Sequence, residues 1–282
     1  MRSVMITGAS SGIGRATALH LAGSGWRVFA GIRKSADGDA LVADAPPGAV
    51  LIPVVCDVVD QDSVDAAVVS VRTVLAGEPL DGFFSNAGIA AMGGESSAEA
   101  TPLATLQRVM EVNYLGAVRA MQGFLPLLRD ARGTVVVNSA MMTHTILPFN
   151  AGYAPSKAAL EAWAVSLRRE IEPYGVRVVI IRPAGVATPL EAKQDLSQIP
   201  ADSPYPEQAA FLRHGTDLAR QRADDPSMSP LRVAECVTDA LDGRRSRYRM
   251  TGGGHLPIWM IGNLPASLQD RVVRRIVRSW TA

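Results

Sequence analysis

The chain has 282 residues, 28 Lys+Arg against 27 Asp+Glu, and a formal net charge of +1, so no global field draws it to nucleic acid or to an anionic membrane. At 48% apolar and 20% charged it has ample material for a core and lies outside the low-hydrophobicity, high-charge regime of disordered chains. Its two cysteines, Cys56 and Cys236, are too few for a disulfide framework and predict a reduced, cytoplasmic protein.

Residues 1–5 lead straight into a glycine-rich turn, so no signal peptide is expected, and no run reaches the roughly 18 apolar residues of a membrane span. Short β-branched runs at 4–7, 27–33, 50–55, 82–85, 134–139 and 176–182 predict strands. Between them, helices are expected over 12–23, 61–75, 105–128 and 153–172. Strands alternating with helices over short links mean right-handed crossovers, and apolar runs such as 50–55 and 176–181 suit strands buried on both faces. The expected fold class is α/β: a Rossmann-like, doubly wound parallel sheet in a single domain.

The pattern changes after Pro183. Residues 189–230 hold 6 of the 18 prolines and only a short helical stretch near 209–222, which predicts a lid over a substrate site. A last strand near 247–251 and a helix over 265–280 complete a C-terminal cap spanning 231–282. The cofactor-binding and catalytic core is expected to fill 1–188.

Thr7-Gly8-Ala9-Ser10-Ser11-Gly12-Ile13-Gly14 joins the first strand to the first helix. Gly8 and Gly12 permit a tight turn and close approach of backbone to a ligand, Gly14 permits close helix–sheet packing, and the helix N-terminus offers free N–H groups to a pyrophosphate. Two rival motifs overlap this stretch. Gly8 to Gly12 matches the G-x-S-x-G spacing, but a nucleophile elbow follows several earlier strands; a P-loop needs Lys after its last glycine, where Arg15 stands.

The turn resembles that of the short-chain dehydrogenase/reductase family, T-G-x-x-x-G-x-G, and further motifs follow in the family's order. Asn86-Ala87-Gly88 matches its N-A-G, Asn113 its catalytic asparagine, and Tyr153-Ala154-Pro155-Ser156-Lys157 its Y-x-x-x-K. Asp57-Val58 matches a pair placed against the adenine, and Pro183-Ala184-Gly185-Val186-Ala187-Thr188 resembles the P-G motif with Ala184 in place of the first glycine. The resemblance implies a nicotinamide cofactor contacted by Gly8, Ser10, Ser11, Gly12, Ile13, Gly14, Asp57, Val58, Asn86, Ala87, Gly88, Tyr153, Lys157, Pro183, Val186 and Thr188.

Tyr153 and Lys157 stand four apart at the start of a helix and share one face. An ammonium near the phenol favours its ionised form, so the tyrosine can pass a proton to or from a carbinol oxygen while the nicotinamide exchanges a hydride with the carbon. By resemblance, Lys157 also binds the nicotinamide ribose, and Asn113 holds a water linking Lys157 to solvent. One position departs: the family's catalytic serine lies thirteen residues before the tyrosine, where this chain has Ala140. Losing one such donor costs about a hundredfold to a thousandfold in other enzymes. Either Ser139 fills the role, which is the reading preferred here, or Thr143 or Thr145 substitutes, or the protein is a dinucleotide-binding regulator with little or no turnover.

At the end of the second strand, where an acidic side chain would bind a ribose 2′-hydroxyl, the chain has Ile32 followed by Arg33 and Lys34. A basic pair there suits a 2′-phosphate, so NADP is expected, with NAD the alternative. The lid and the loop before Tyr153 supply Leu190, Leu196, Tyr205, Phe211, Met141 and Phe149, an apolar lining. The sequences at 113–116, 124–129 and 247–248 look most like the branch containing hydroxysteroid and retinol dehydrogenases, which implies a hydrophobic secondary alcohol or ketone. The four histidines lack metal-ligand spacing, so no metal site is expected. Arg271, Arg274, Arg275 and Arg278 alternate with apolar residues on the last helix, leaving docking, a subunit contact or peripheral membrane contact open. A homodimer or homotetramer is the expected assembly.

Overall fold

The computed structural model describes residues 1–90, 96–187, 199, 203–205, 207–221, 225–243, 248–251 and 255–281. Among the described residues seven strands are laid down in chain order: β1 (Ser3–Ile6), β2 (Arg27–Ile32), β3 (Val50–Val55), β4 (Gly82–Ser85), β5 (Thr134–Asn138), β6 (Arg177–Pro183) and β7 (Tyr248–Thr251). They form one sheet in the order β3-β2-β1-β4-β5-β6-β7, and every pairing is parallel.

Because successive residues of a strand face opposite ways, a sheet covered on both sides needs apolar residues at every position. Met5, Phe29, Phe83, Val135, Val137 and Ile180 point to one layer. Val4, Ile6, Val28, Phe84, Val136 and Ile181 point to the other. The first layer is closed by α3 (Gln61–Leu75), α5 (Ala117–Ala131) and α6 (Tyr153–Ile171). The second is closed by α1 (Gly12–Gly23), α2 (Ser35–Ala43) and α8 (Pro230–Leu241). The other α-helices among the described residues are α4 (Leu103–Met110), α7 (Glu207–Gln221), α9 (His255–Gly262) and α10 (Ala266–Thr281).

After β1 the chain winds outward through β2 and β3, then returns to lay β4 on the other side of β1. The winding reverses between β1 and β4, so the loops at their carboxyl ends part and leave a crevice, where ligands bind in open α/β sheets.

The architecture corrects one expectation and adds helices where none was named. The helix expected over 105–128 is two helices, α4 and α5, joined by a π-helical turn at Glu111–Gly116; such turns concentrate at functional sites. Helices α2, α8 and α9 were not expected. The first carries only Gly38 and Leu41 as buried residues, a stripe too thin to read. The second was legible: Ser229 caps it by accepting from the N–H of Leu231, Pro230 opens it, and Val233, Val237, Ala240 and Leu241 are buried at helical spacing. Part of the expected lid, including Leu190 and Leu196, lies outside the described residues.

Candidate active site

At the switch point, Thr7 closes β1 with its hydroxyl accepting from the N–H groups of Asn86 at 3.0 Å and Ala87 at 3.1 Å. Asn86 returns the contact, its Nδ2 donating to the carbonyls of Thr7 at 3.0 Å and Gly8 at 3.1 Å. The glycine turn and the Asn86-Ala87-Gly88 loop are thereby locked together across the crevice. Gly8 sits at φ +66°, and a β-carbon on Gly14 would stand 2.2 Å from the Gly8 carbonyl oxygen. The turn therefore requires glycine in both conformation and space.

Ser10 and Ser11 are exposed, and no side chain caps the start of α1, so the first-turn N–H groups are available to a pyrophosphate. Ile13 packs its apolar side onto the core. This cradle fits a dinucleotide. At the neighbouring strand ends, Ile32 is buried while Arg33 and Lys34 are exposed. The loop after β3 is fixed by Arg119, which donates to the Val58 carbonyl at 2.6 Å, and by Asp57, whose N–H donates to Ser63 and whose carboxylate accepts from Val59. Pro183 ends β6, Val186 is buried, and Ala187 donates its N–H to Met228 at 2.9 Å. Thr188 lies outside the described residues.

Asn113 occupies the π turn and is fully buried. Its Oδ1 accepts from the Ile89 N–H at 2.7 Å, while its Nδ2 donates to the Ile89 carbonyl at 2.8 Å and to Ser156 Oγ at 3.0 Å. The widened turn thus clamps the loop after Gly88 to α6. A β-carbon on Gly88 would lie 3.2 Å from Asn113 Oδ1 and 3.5 Å from Lys157 Nζ, which places Gly88 between the two side chains.

Helix α6 opens on Tyr153, and its first turn is fixed by Asn150, whose Oδ1 accepts from the Ala154 N–H at 3.1 Å. Sequence reasoning did not find Asn150, although an Asn shortly before a helix start is a capping signal. Pro155 is exposed in that turn, where its missing N–H costs nothing. Lys157 Nζ lies 5.8 Å from the Tyr153 ring centroid and donates to the Asn138 carbonyl at 2.8 Å. Lys157 is 3% exposed. Burial pushes its ammonium down from 10.5 to about 8, against the opposing pull of the Glu161 charge.

Ser139 is drawn elsewhere. It is 2% exposed, and its hydroxyl is donated to Glu161 at 2.5 Å. Thr143 likewise donates to Glu161, at 2.8 Å. Position 139 continues the alternation of β5 toward the helical layer that contains α6, and both hydroxyls are engaged by Glu161 on that helix.

The site is bordered by aromatic side chains from three parts of the chain. The Phe149 ring lies 6.0 Å from Tyr205 and 5.5 Å from Phe211, which is 5.1 Å from Trp280. Helix α7 and the last helix are therefore tied to the loop that leads into Tyr153.

The family model described as short chain dehydrogenase matches residues 2–198. The chain belongs to the short-chain dehydrogenase family. This dehydrogenase is 32% identical over 290 residues to mouse retinol dehydrogenase 5, covering 97% of its own length and 88% of that protein. It is 34% identical over 296 residues to the bovine mitochondrial D-beta-hydroxybutyrate dehydrogenase, covering 96% and 83%. Among solved structures, levodione reductase aligns with a TM-score of 0.73 and 27% identity, covering 90% of this chain and 96% of that one. The dehydrogenase is an oxidoreductase acting on alcohol or carbonyl groups with a nicotinamide dinucleotide, and each of these three relatives carries dehydrogenase or reductase in its name.

Proposed function

We propose that the enzyme exchanges a hydride between NADP and a lipophilic secondary alcohol or ketone, with Tyr153 as the acid/base. The observation that carries the reading is the buried Lys157 ammonium, set 5.8 Å from the Tyr153 ring on one face of α6. A positive charge there favours the phenolate, so the Tyr153 hydroxyl can hold or give up a proton at the substrate oxygen. When bound, the nicotinamide supplies or accepts the hydride. Asn113 holds the loop after Gly88 against α6 and orders the floor beneath the reacting groups.

The preference for NADP rests on Arg33 and Lys34 at the end of β2, exposed where a 2′-phosphate would lie. The apolar character of the substrate rests on Met141, Phe149 and Phe211 in the segments around Tyr153 and on the names of the relatives, one of which is a retinol dehydrogenase. The preferred assay is NADPH oxidation over a panel of apolar ketones, with NADP reduction over the matching alcohols. Turnover that Tyr153→Phe lowers by a hundredfold or more is expected. Tight dinucleotide binding with no turnover across the panel would overturn the reading in favour of a regulatory protein.

Peripheral membrane contact through the C-terminal segment belongs to the same proposal. Arg271, Arg274, Arg275 and Arg278 line one concavity of α10, and Trp259, Met260 and Leu268 expose 44%, 58% and 39% of their surface nearby in sequence. Exposed apolar side chains close in sequence to a basic row suit an anionic lipid surface. Among the described residues no helix is long and apolar enough to cross a membrane. Co-sedimentation with phosphatidylserine vesicles, lost on replacing the four arginines, is the expected result. The cytoplasmic and homo-oligomeric parts of the reading are supported by the two cysteines, which are buried thiols outside any disulfide, and by Leu103 and Leu115, exposed on and beside α4.

A further inference from the structure

Tyr153, Lys157 and Glu161 stand four apart along α6 and so occupy one face. Glu161 is 8% exposed, and its carboxylate collects donors from both flanking strand ends. Oε1 accepts from Ser139 Oγ at 2.5 Å, Thr143 Oγ1 at 2.8 Å and Arg182 Nε at 2.9 Å, and Oε2 accepts from Arg182 Nη2 at 2.6 Å. Ser139 follows β5, Thr143 begins the loop that runs to Tyr153, and Arg182 immediately precedes Pro183 and the loop after β6.

Burial pushes the Glu161 carboxyl up, but the hydrogen bonds from Arg182 and Ser139, the Arg182 charge and the Thr143 bond outweigh it and hold it below the usual carboxylate range. A buried ion pair is a poor stability device, since removing two ions from water costs several kcal/mol and apolar replacements often do as well. Among the described residues, Arg182 from β6 bears on Glu161, and Glu161 in turn bears on Lys157 of the same helix. Among the described residues the π turn brings the neutral Asn113 to α6 and carries Glu111, paired with Arg119, and α4 carries the exposed Arg108.

We propose that Glu161 is a positioning residue for the reaction: its carboxylate pins the ends of β5 and β6 to the helix bearing Tyr153 and Lys157, and its charge keeps the buried Lys157 protonated at neutral pH. The inference rests on the reading of Lys157 as the group that keeps Tyr153 ionisable. An ammonium with so little water around it tends to lose its proton, and the anion one turn along the helix opposes that loss. Arg182 tempers the effect, because a cation on the far side of the carboxylate partly cancels its field.

The test is the titration midpoint of Lys157 in the ligand-free full-length protein, read by NMR of labelled lysine side chains, together with the pH profile of kcat/KM. Glu161→Gln is expected to lower the midpoint by about one pH unit or more and to move the alkaline fall in kcat/KM the same way. Arg182→Gln is expected to move the midpoint upward, and opposite shifts from the two ends of one ion pair are not produced by loosened packing. Glu161→Asp keeps the charge and is expected to restore most of the midpoint. Should Glu161→Gln not fold, the paired variant E161Q/R182Q removes the stranded cation and carries the same expectation of a lowered midpoint. Folded variants with an unchanged Lys157 midpoint overturn the proposal. A shifted midpoint in an enzyme whose turnover survives Lys157→Met supports the electrostatic role and instead overturns the reading of Lys157.

Discussion

Lys157 donates its ammonium to the main-chain carbonyl of Asn138 at 2.8 Å, and the Asn138 side chain in turn donates to Asn86 Oδ1 at 2.9 Å. Asn86 holds the carbonyls of Thr7 and Gly8, so an unbroken polar chain runs from the proposed proton-transfer helix to the dinucleotide cradle.

Asn138→Ala cuts that chain at one side chain while leaving the carbonyl that Lys157 uses. Losing one buried hydrogen bond is worth about 1 kcal/mol, so the dissociation constant for NADP is expected to rise about fivefold with the Lys157 titration unchanged. Isothermal titration of the purified variant checks the first and lysine NMR the second. Equal loss of both would place Asn138 under the helix rather than under the cradle.

Lys157 also gives stability a pH dependence. Its folded-state pKa of about 8 lies below its ordinary 10.5, so between those values the unfolded chain holds more of the proton. Stability therefore rises with pH across that window, and the cost of burying the charge is fully present below pH 8. The gap between the two values corresponds to about 3 kcal/mol. Denaturant unfolding of wild type and Lys157→Met at pH 7 and pH 10 should show their difference moving toward wild type by most of that amount. A difference that stays flat would mean Lys157 titrates as an exposed lysine does.

Gly14→Ala tests the cradle through space alone. The added β-carbon would meet the Gly8 carbonyl oxygen at 2.2 Å and Asn86 Nδ2 at 2.5 Å, and the first of these is backbone that cannot rotate away. Overpacking of this kind costs about 1–3 kcal/mol. A fall in melting temperature together with at least tenfold weaker NADP binding is expected, measured by thermal shift with and without the dinucleotide.

The parts of this arrangement that reside in short local patterns were readable without coordinates. The glycine turn, the strand runs and the four-residue step from Tyr153 to Lys157 are each set by residues within a turn or two of one another, where conformation and spacing decide the outcome. The pairing of Glu161 with Arg182 was not readable, because it joins a helix to a strand 21 residues away, and nothing in either segment marks its partner. The π turn at Asn113 escaped for a related reason: the extra residue per turn is fixed by side-chain bonds to Ile89, on a different loop. Helix α8 is the exception, since its cap at Ser229 and its apolar spacing are local.

Ala140 raises the question of what polarises the substrate oxygen, and the position of Ser139 answers half of it. With its hydroxyl committed to Glu161 at 2.5 Å, Ser139→Ala is expected to cost about 1–2 kcal/mol of stability and to lower kcat far less than Tyr153→Phe does. Ala140 is 7% exposed, has extended backbone angles and directly follows Ser139. Ala140→Ser restores the donor that the family places thirteen residues before its tyrosine, and removal of such a donor elsewhere costs about a hundredfold or more. A gain of about tenfold in kcat with little change in KM is therefore expected for Ala140→Ser, measured under saturating NADPH with one apolar ketone. A loss of activity on introducing the serine, or a hundredfold loss in Ser139→Ala with the fold intact, would return the donor role to Ser139.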